Sequence, residues 1–249
     1  MKIGIIIQAR MGSTRLPRKI LREFYNGQTL IETVICNLQK VEDAQVIVAT
    51  SVNSNNDELV GFLEERSIPV FRGSENDVLR RFIGAAEANG VDGIVRICSD
   101  NPFLDWHGVA DLIEKAKASE ADYIGYRVND IPSIKTHFGF WGEFVTLNAL
   151  KRVDATTDDK IAHEHVTIHI YTHPDEYKCE WIECPAYLQG RNDIRLTVDN
   201  EEDFVNAQQV FSSLCEANAN FGLEDIVKYI DSHVALQESM KKMIQNNQK

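Results

Sequence analysis

Short runs of β-branched and aliphatic residues alternate along the first half of the chain with longer segments of helical period. The order is KIGIII, TLIETVICNLQKV, AQVIVAT, NDELVGFLEER, IPVF, NDVLRRFIGAAEANG, GIVRIC, GVADLIEKAKAS and ADYIGY. Repeated strand–helix units of this kind predict a mostly parallel sheet covered by helices on both faces. The carboxyl ends of the strands then meet at one edge of the sheet, where such folds bind ligands.

The length and charge of the chain limit the number of domains and the classes of partner that we expect. With 249 residues, 43% of them apolar, the chain can form one large core, and we expect a single domain over 1–249. Asp and Glu number 38 against 26 Lys and Arg, which argues against nucleic acid or an anionic membrane as a partner. We expect a cytoplasmic protein without a membrane anchor, because no stretch approaches the ~20 apolar residues of a membrane span and the five cysteines are scattered.

The alternation loosens between about residues 127 and 190, where three prolines interrupt it and aromatic residues cluster as HFGFWGEF. We interpret this stretch as a small inserted lobe for an acceptor or for dimerisation. Beyond it, IRLTV predicts a strand, and NEEDFVNAQQVFSSL and GLEDIVKYI predict helices. A polar tail starts near Gln237, and we expect its end to be frayed. The predicted fold class is therefore α/β, one Rossmann-like three-layer domain with a mostly parallel sheet.

A basic segment that contains glycine, QARMGSTRLPRKILR, follows the first predicted strand. Its residues 10–22 include five Lys or Arg and no acidic residue, although acidic residues predominate in the chain. Gly12, Ser13 and Thr14 offer backbone N–H groups and hydroxyls, and arginine forks match phosphate oxygens. Because the spacing fits neither a P-loop nor a dinucleotide-binding motif, we predict a triphosphate site, with a solvated basic loop as the alternative.

QARMGSTRLPRKIL resembles the signature of the cytidylyltransferase family, which includes octulosonate cytidylyltransferases, CMP-sialic acid synthetases and spore-coat polysaccharide cytidylyltransferases. The resemblance is strongest to the spore-coat type and implies a nucleotide-diphospho-sugar transferase fold, in which this loop wraps the triphosphate. It implies catalytic roles for Arg15 and Lys19. Arg18 departs from the family pattern, which commonly has glycine before the lysine. The nucleotide-binding residues implied in the loop are Ala9, Arg10, Gly12, Ser13, Arg15 and Lys19.

FRGSENDVLRRF, residues 71–82, resembles the family segment that lies against the nucleotide base. The resemblance implies nucleotide contacts from Arg72, Ser74 and Asp77. Ser74-x-x-Asp77 ahead of an apolar periodic run is also typical of a helix cap, and both roles can coexist. The residues alone do not distinguish cytosine from uracil or guanine, so CTP as the nucleotide rests on the resemblance.

Two aspartates follow predicted strands, Asp100 in IVRICSD and Asp199 in IRLTVD, and could hold Mg²⁺ through their carboxylates. Asp100 could instead be a turn residue, and Asp199-x-x-Glu202 could be an N-cap with its box. SDNP is similar to the family's GDxP segment and RLTVDNEED to its VDTxED segment. The resemblance implies that both aspartates hold the metal and that Asp100 is catalytic, with Asp203 as a weaker third candidate.

The resemblance to the family is weak between SDNP and RLTVDNEED, in the part of the chain where an acceptor would bind. We predict acceptor contacts from Arg127, His137, Glu164 and His165, and Lys135, Trp141 and Arg191 are further candidates for holding a carboxylate or a sugar face. AHEHVTIHIYTHP resembles the family's REHVT segment, so Glu164 and His165 could equally be dimer residues. The run HFGFW could pack in the core or form a sugar platform.

Three histidines, His165, His169 and His173, recur every four residues, which on one helix would place them on a single face. Such a stripe could bind a metal or belong to an interface or a partly buried helix. A zincin motif is excluded, since position 167 is Thr.

Together these features predict a Mg²⁺-dependent nucleotidyltransferase that couples CTP to a sugar acid of the nonulosonate or octulosonate kind. It would release pyrophosphate, serve surface polysaccharide biosynthesis and act as a homodimer. The alternatives are a sugar-phosphate nucleotidyltransferase using another NTP, a glycosyltransferase, and a non-catalytic nucleotide-binding protein. The Asp-x-Asp motif typical of glycosyltransferases is absent from the sequence.

Overall fold

The β-branched runs form the strands of one mixed sheet in a computed structural model, which describes residues 1–42 and 44–246. The strands are β1 (Ile3–Gln8), β2 (Glu23–Tyr25), β3 (Gln28–Thr29), β4 (Gln45–Ser51), β5 (Val70–Gly73), β6 (Gly93–Cys98), β7 (Tyr123–Val128), β8 (Ile131–Pro132), β9 (Glu143–Thr146) and β10 (Cys179–Glu183). The strand order is β10-β7-β9-β6-β1-β4-β5; β8 pairs with β7, and β2 and β3 form a separate pair. β9 runs antiparallel to β6 and β7, and the other neighbours along this order pair in parallel. The predicted mostly parallel sheet is confirmed.

Helices cover both faces of this sheet. They are α1 (Leu30–Leu38), α2 (Asp57–Glu64), α3 (Val78–Asn89), α4 (Trp106–Ala118), α5 (Leu147–Thr156), α6 (Lys160–His165), α7 (Ile168–Thr172), α8 (Glu201–Ala217), α9 (Leu223–Asp231) and α10 (Val234–Asn246). Ile5 and Ile7 of β1 lie in a larger apolar core with α1, α4 and α8, whereas Ile6 lies in a second core with α3 and α5. Burial on both faces explains the uninterrupted apolar run of β1 and confirms the three-layer arrangement.

The stretch from 127 to 190 contributes to the central sheet. β9 is inserted between β6 and β7, and β10 forms an edge beside β7. Other parts of the stretch, the loop over 133–141 and the helices α6 and α7, contribute residues to a cavity beside Asp100 and Asp199. The sequence pattern did not indicate that three strands of the main sheet, β8, β9 and β10, come from the predicted lobe.

Two local predictions near the C-terminus are wrong. IRLTV is extended but is not a strand, because the N–H groups of Leu196 and Thr197 donate to the His137 carbonyl and that of Val198 donates to the Asp100 carbonyl. These bonds tie the segment to two loops. The predicted polar tail is largely the helix α10, which buries Leu236 among other side chains; the frayed end that we expected lies outside the described residues. Within the described residues, no helix has the length and apolar character needed to span a membrane.

Candidate active site

The basic loop after β1 forms one wall of a cavity of about 240 Å³ at the carboxyl edge of the sheet. β1 and β6 pair in parallel with Gln8 opposite Cys98, so the loops that follow these strands meet here. The loop is anchored where the Met11 N–H donates to the buried side chain of Asn56 at 2.8 Å. The cavity is lined by Gln8, Arg10, Gly12, Ser13, Thr14, Arg15, Lys19, Cys98, Ser99, Asp100 and Asp199.

Three of the five cations of the loop line this cavity, namely Arg10, Arg15 and Lys19. The other two pair with acidic groups elsewhere, Arg18 with Glu58 and Arg22 with Glu201. The basic loop is therefore not uniformly solvated, and it concentrates positive charge on one wall of the cavity. Ala9 is buried at the base of the loop, where its N–H donates to the Ala49 carbonyl.

Asp100 and Asp199 converge on one ammonium group. Lys19 Nζ lies 2.9 Å from Asp100 Oδ2 and 4.0 Å from Asp199 Oδ1, and it also donates to the Val198 carbonyl at 2.7 Å. Arg15 approaches Asp199 Oδ1 at 3.3 Å. Both carboxylates thus face the wall formed by the basic loop, the arrangement that a bound metal triphosphate requires.

Asp199 is oriented from behind by a buried arginine. Arg195 donates to Asp199 Oδ2 at 2.9 Å and forms two further bonds to Asp203, at 2.6 and 2.7 Å. Asp203 also forms a capping box with Asn200, which is the N-cap of α8. The alternative that Asp199 is the N-cap is wrong, because Asn200 has that place and leaves the Asp199 carboxylate at the cavity. Asp203 is buried in the box and does not line the cavity in the described structure.

A second cavity, of about 470 Å³, opens on the other side of the two aspartates. Its wall is largely apolar and aromatic, with Phe138, Phe140 and Trp141 buried in the core as well as lining the cavity. The packing role of the run HFGFW is therefore confirmed, and the sugar platform stays a prediction. Other lining residues are Arg96, Cys98, Asp100, Asn101, Ser133, Ile134, Lys135, Thr136, Gly139, His165, Ile168, Tyr171, Thr197 and Asp199. The two cavities share Cys98, Asp100 and Asp199.

The predicted acceptor residues divide between the cavity and its surroundings. Lys135, Trp141 and His165 line it, and Lys135 Nζ also lies 5.5 Å from the ring centroid of Tyr171. His137 contacts Arg195 Nη1 through its Nδ1 at 2.6 Å. Among the described residues, those lining the two aspartate cavities do not include Arg127, His137, Glu164 or Arg191. Arg127 pairs with Glu183 and Asp130, Arg191 pairs with Asp193 and Asp231, and Glu164 is exposed on α6.

The floor of the larger cavity is a buried polar network. Arg96 donates to Glu143 at 2.8 Å, and Glu143 also accepts hydrogen bonds from the hydroxyls of Tyr123 and Thr167. Burial, and then the Glu143 carboxylate, raises the pKa of Tyr171 well above its usual value, so this lining residue keeps its phenolic proton. Because the charges of Arg96 and Glu143 are paired and hydrogen-bonded, we expect the side chains below the cavity to be held rigidly.

The predicted base-binding residues are held by internal contacts. Asp77 is the N-cap of α3 and accepts from the Arg80 N–H, while Ser74 Oγ accepts from the Asp77 N–H, so the capping role is confirmed with Asp77 as the cap. Arg72 donates to Asp57 at 2.7 Å and to carbonyls of the loop after β4. The structure does not bring these three residues into the two cavities that share the aspartates, as far as its described residues extend.

A separate cluster lies at the start of α3. Asp77, Asp154 and His163 are three side chains whose possible ligand atoms all lie within 4.8 Å of one another, an arrangement that could hold a metal ion. Arg80 already donates to Asp154 at 2.7 Å, and the His163 ring nitrogens contact Asp77 and the Thr157 carbonyl. Burial lowers the pKa of His163, but its hydrogen bonds to Thr157 and Asp77 outweigh burial, so the pKa lies above its usual value.

The histidine repeat does not form one helical stripe. α6 ends at His165, Val166 has a φ of 57°, and α7 begins only at Ile168. His165 lines the larger cavity, whereas the rings of His169 and His173 stack with centroids 4.0 Å apart. The four-residue spacing therefore marks two short helices with different neighbours.

Several residues of the site were not singled out from the sequence. Arg195, which holds Asp199, lies within the apolar run IRLTV, and Arg96 lies within the buried strand GIVRIC. A charged residue inside an otherwise apolar run is the signal that could have found both. Asn101 and Thr197 each lie within two residues of a predicted metal aspartate, but no pattern of residue types distinguishes them from ordinary turn and strand positions.

Comparison with known proteins agrees with this geometry. The profile of the family described as cytidylyltransferase matches residues 4–246. The chain belongs to the cytidylyltransferase family. This cytidylyltransferase is 34% identical over 223 residues to the spore coat polysaccharide biosynthesis protein SpsF of Bacillus subtilis, covering 86% of this chain and 88% of the relative.

Solved structures show the same fold. A cytidylyltransferase from Leptospira borgpetersenii superimposes with a TM-score of 0.79 at 26% identity, over 95% of this chain and 96% of that one. CMP:2-keto-3-deoxy-manno-octonic acid synthetase, solved in complex with CTP, superimposes with a TM-score of 0.62 at 14% identity, over 84% and 98% of the two chains. This enzyme therefore has the predicted nucleotide-diphospho-sugar transferase type of fold.

Proposed function

We propose that this enzyme transfers the cytidylyl group of CTP to a sugar acid and releases pyrophosphate. The observation that carries the proposal is the meeting of two cavities at one pair of carboxylates. The cationic cavity and the largely aromatic cavity share Asp100 and Asp199, so a nucleotide and an acceptor bound in them would have their reacting groups side by side.

The cationic cavity suits the triphosphate. Arg10, Arg15 and Lys19 provide the positive charge, and Gly12 and Ser13 provide a flexible backbone and a hydroxyl. Membership of the cytidylyltransferase family supports CTP as the nucleotide, and so does the structural relative solved with CTP. Arg72, Ser74 and Asp77 stay the candidates for contacts toward the base.

Asp100 and Asp199 fit a divalent cation. They form a pair of carboxylates that both turn to one positive charge, Lys19 Nζ, and Mg²⁺ typically takes one or two carboxylates together with phosphate oxygens and water. When bound, Mg²⁺ would neutralise phosphate charge and polarise the reacting phosphoryl group. We assign the metal here rather than to Asp77, Asp154 and His163, because Asp100 and Asp199 line the cationic cavity that suits the triphosphate, whereas the lining described for the two cavities does not include that cluster.

The chemistry expected of the side chains is positioning and charge neutralisation. An acceptor oxygen attacks the α-phosphorus, the bond from that phosphorus to the pyrophosphate oxygen breaks, and the acceptor proton leaves to solvent. Arg15 and Lys19 stabilise the negative charge that builds up on the departing pyrophosphate. Arg195 keeps Asp199 turned to the cavity during this step.

The larger cavity suits a sugar acid as the acceptor. Its volume of about 470 Å³ can enclose a single sugar residue, and Lys135 and His165 bring basic groups that can pair with a carboxylate. The buried rings of Phe138 and Trp141 provide an apolar surface for a sugar face. The relative SpsF, named for spore coat polysaccharide biosynthesis, supports a role in making a CMP-sugar for surface polysaccharide. The cytoplasmic location and the homodimer stay predictions from the sequence.

Pyrophosphate release provides the test. The protein is incubated with Mg²⁺, each of the four NTPs and a panel of 2-keto-3-deoxy-manno-octonic acid, N-acetylneuraminic acid, hexuronic acids and sugar 1-phosphates. We expect release only with CTP together with a sugar acid. Turnover with another NTP would overturn the base assignment, turnover with sugar phosphates alone would overturn the acceptor class, and release from no combination would overturn the proposed function.

A further inference from the structure

Three residues that line the larger cavity each carry a buried polar atom without a hydrogen-bond partner in the described structure. These atoms are Asn101 Oδ1, Thr197 Oγ1 and Arg96 Nε, on side chains that are each only 6% exposed. Buried polar atoms are nearly always satisfied in native proteins, because an unmade hydrogen bond in a dry environment costs stability. Three such atoms on residues around one cavity favour a ligand that completes their bonding.

Asn101 and Thr197 both lie beside Gly139, which has a φ of 68°. A Cβ atom at position 139 would lie 2.8 Å from Asn101 Oδ1 and 3.2 Å from Thr197 Cγ2. The two side chains are therefore close to one another, and glycine leaves free the room beside them that a larger residue would fill. Asn101 follows the predicted metal ligand Asp100 directly, and Thr197 precedes Asp199 by two residues, so both are fixed relative to the proposed reaction centre.

We propose that Asn101 and Thr197 determine acceptor specificity by binding one polar substituent of the sugar acid. Asn101 Oδ1 accepts a hydrogen bond from a hydroxyl or amide N–H of the acceptor, and the Thr197 hydroxyl bonds to the same substituent. This inference rests on the proposed function, since it assigns the larger cavity to the acceptor. An acceptor that lacks this substituent leaves both atoms unsatisfied, which discriminates against it strongly.

Thr197→Val tests the inference, because valine keeps the shape of threonine and removes only the hydroxyl. Since Oγ1 has no partner in the free protein, the substitution should leave the melting temperature unchanged or raise it. Thr197→Ser, which keeps the hydroxyl, should behave like wild type. Thr50→Val is the matched control, because Thr50 Oγ1 is also buried without a partner but lies in β4, outside both cavities as described.

Steady-state kinetics use CTP, Mg²⁺ and the sugar acid from the panel that wild type uses best. We expect Thr197→Val to raise the KM for the sugar acid at least about fivefold while the KM for CTP stays within about twofold. Thr50→Val should change neither constant. Asn101→Leu, which removes the amide at similar volume, is the second variant and should act in the same direction. An unchanged KM for the sugar acid in both variants would overturn the inference.

A second readout separates this inference from the proposed function. Trp141 lines the cavity, so tryptophan fluorescence can report binding of each sugar acid without turnover. If wild type releases no pyrophosphate from any combination, the proposed function fails. Weaker quenching of the fluorescence by a sugar acid in Thr197→Val than in wild type would still support the acceptor contact. Equal quenching in the two proteins, or no binding by any of the sugar acids, would overturn it.

Discussion

Arg195 donates a hydrogen bond of 2.9 Å to Asp199 while its side chain is only 1% exposed. Its other bonds bind both oxygens of Asp203, which is itself part of the cap of α8. The orientation of a proposed metal ligand is thus set by a planar fork that is anchored in the core. Lysine has the same charge but no fork, so it cannot hold both carboxylates in this geometry.

We therefore expect Arg195→Lys to lower kcat about tenfold and to raise the Mg²⁺ concentration needed for half-maximal rate. Pyrophosphate release measured against Mg²⁺ concentration checks this. Arg191→Lys is the control, since Arg191 also holds two carboxylates, Asp193 and Asp231, but not Asp199. An equal Mg²⁺ requirement in the two variants would show that Arg195 acts on stability alone.

Arg18 adopts a left-handed backbone conformation with a φ of 60°, directly before Lys19. Side chains other than glycine are strained there, and this explains why the family commonly has glycine at the position where this chain has arginine. The backbone keeps the left-handed turn although arginine replaces glycine at position 18. The three-residue 3-10 helix that starts at Lys19 follows it directly.

We expect Arg18→Gly to be more stable than Arg18→Ala by about 0.5–1 kcal/mol. Glycine removes the strain of the left-handed backbone, but its larger conformational entropy in the unfolded state offsets part of this gain. Both substitutions remove the ion pair with Glu58, so the comparison isolates the backbone. Urea unfolding of the two variants measures the difference. A variant with alanine as stable as the one with glycine would show that the left-handed conformation carries no strain.

The strand–helix alternation was sufficient to predict β1, β4, β6 and β7 with the helices between them, because each buried run has the periodicity of its element. IRLTV was misassigned for a physical reason. All five residues of this extended segment are buried, and such a segment looks the same in sequence whether its backbone bonds to a strand or to two loops. The insertion of β9 between β6 and β7 was also hidden, since the partners of a four-residue strand depend on tertiary packing.

The site was predictable in part. Lys19 and Asp100 follow two strands that proved to be parallel neighbours, and that adjacency at one sheet edge follows from general rules for such folds. Asp199 was chosen only through the family resemblance, because its own pattern fitted a helix cap equally well. Asn101 and Thr197 could not be found, since their distinguishing property is a missing partner in a folded cavity.

The stability of the contact between α6 and α3 should depend on pH through His163. Its pKa in the folded state lies above the usual value, so the imidazolium contributes stability that is fully present below the unfolded pKa of about 6.5. That contribution is lost as the pH rises through the folded pKa. We expect His163→Gln to reduce the unfolding free energy by about 1–2 kcal/mol at pH 5.5 and by less at pH 8.5.

Asp77→Asn provides the matched background for that experiment, since asparagine keeps the N-cap of α3 and removes the charge that faces the imidazole. In this background the effect of His163→Gln should vary less with pH, as measured by urea unfolding at both pH values. If the effect of His163→Gln varies with pH as much in the Asp77→Asn background as in wild type, then Asp154 or the Thr157 carbonyl, and not Asp77, raises the pKa of His163.

Asp100→Asn should separate nucleotide binding from turnover. Asparagine keeps the shape of the side chain but removes the charge that holds Lys19 at 2.9 Å, so the lysine becomes more available to phosphate oxygens. The affinity for CTP should then stay within about threefold of wild type, while turnover falls by about 100-fold or more, since a proposed metal ligand is lost. Thermal shifts with CTP measure binding, and pyrophosphate release measures turnover.

Asp111→Asn, at an exposed position of α4, is the control and should change neither quantity. Turnover of Asp100→Asn close to wild type would remove Asp100 from the metal site and leave its contact with Lys19 as a structural ion pair.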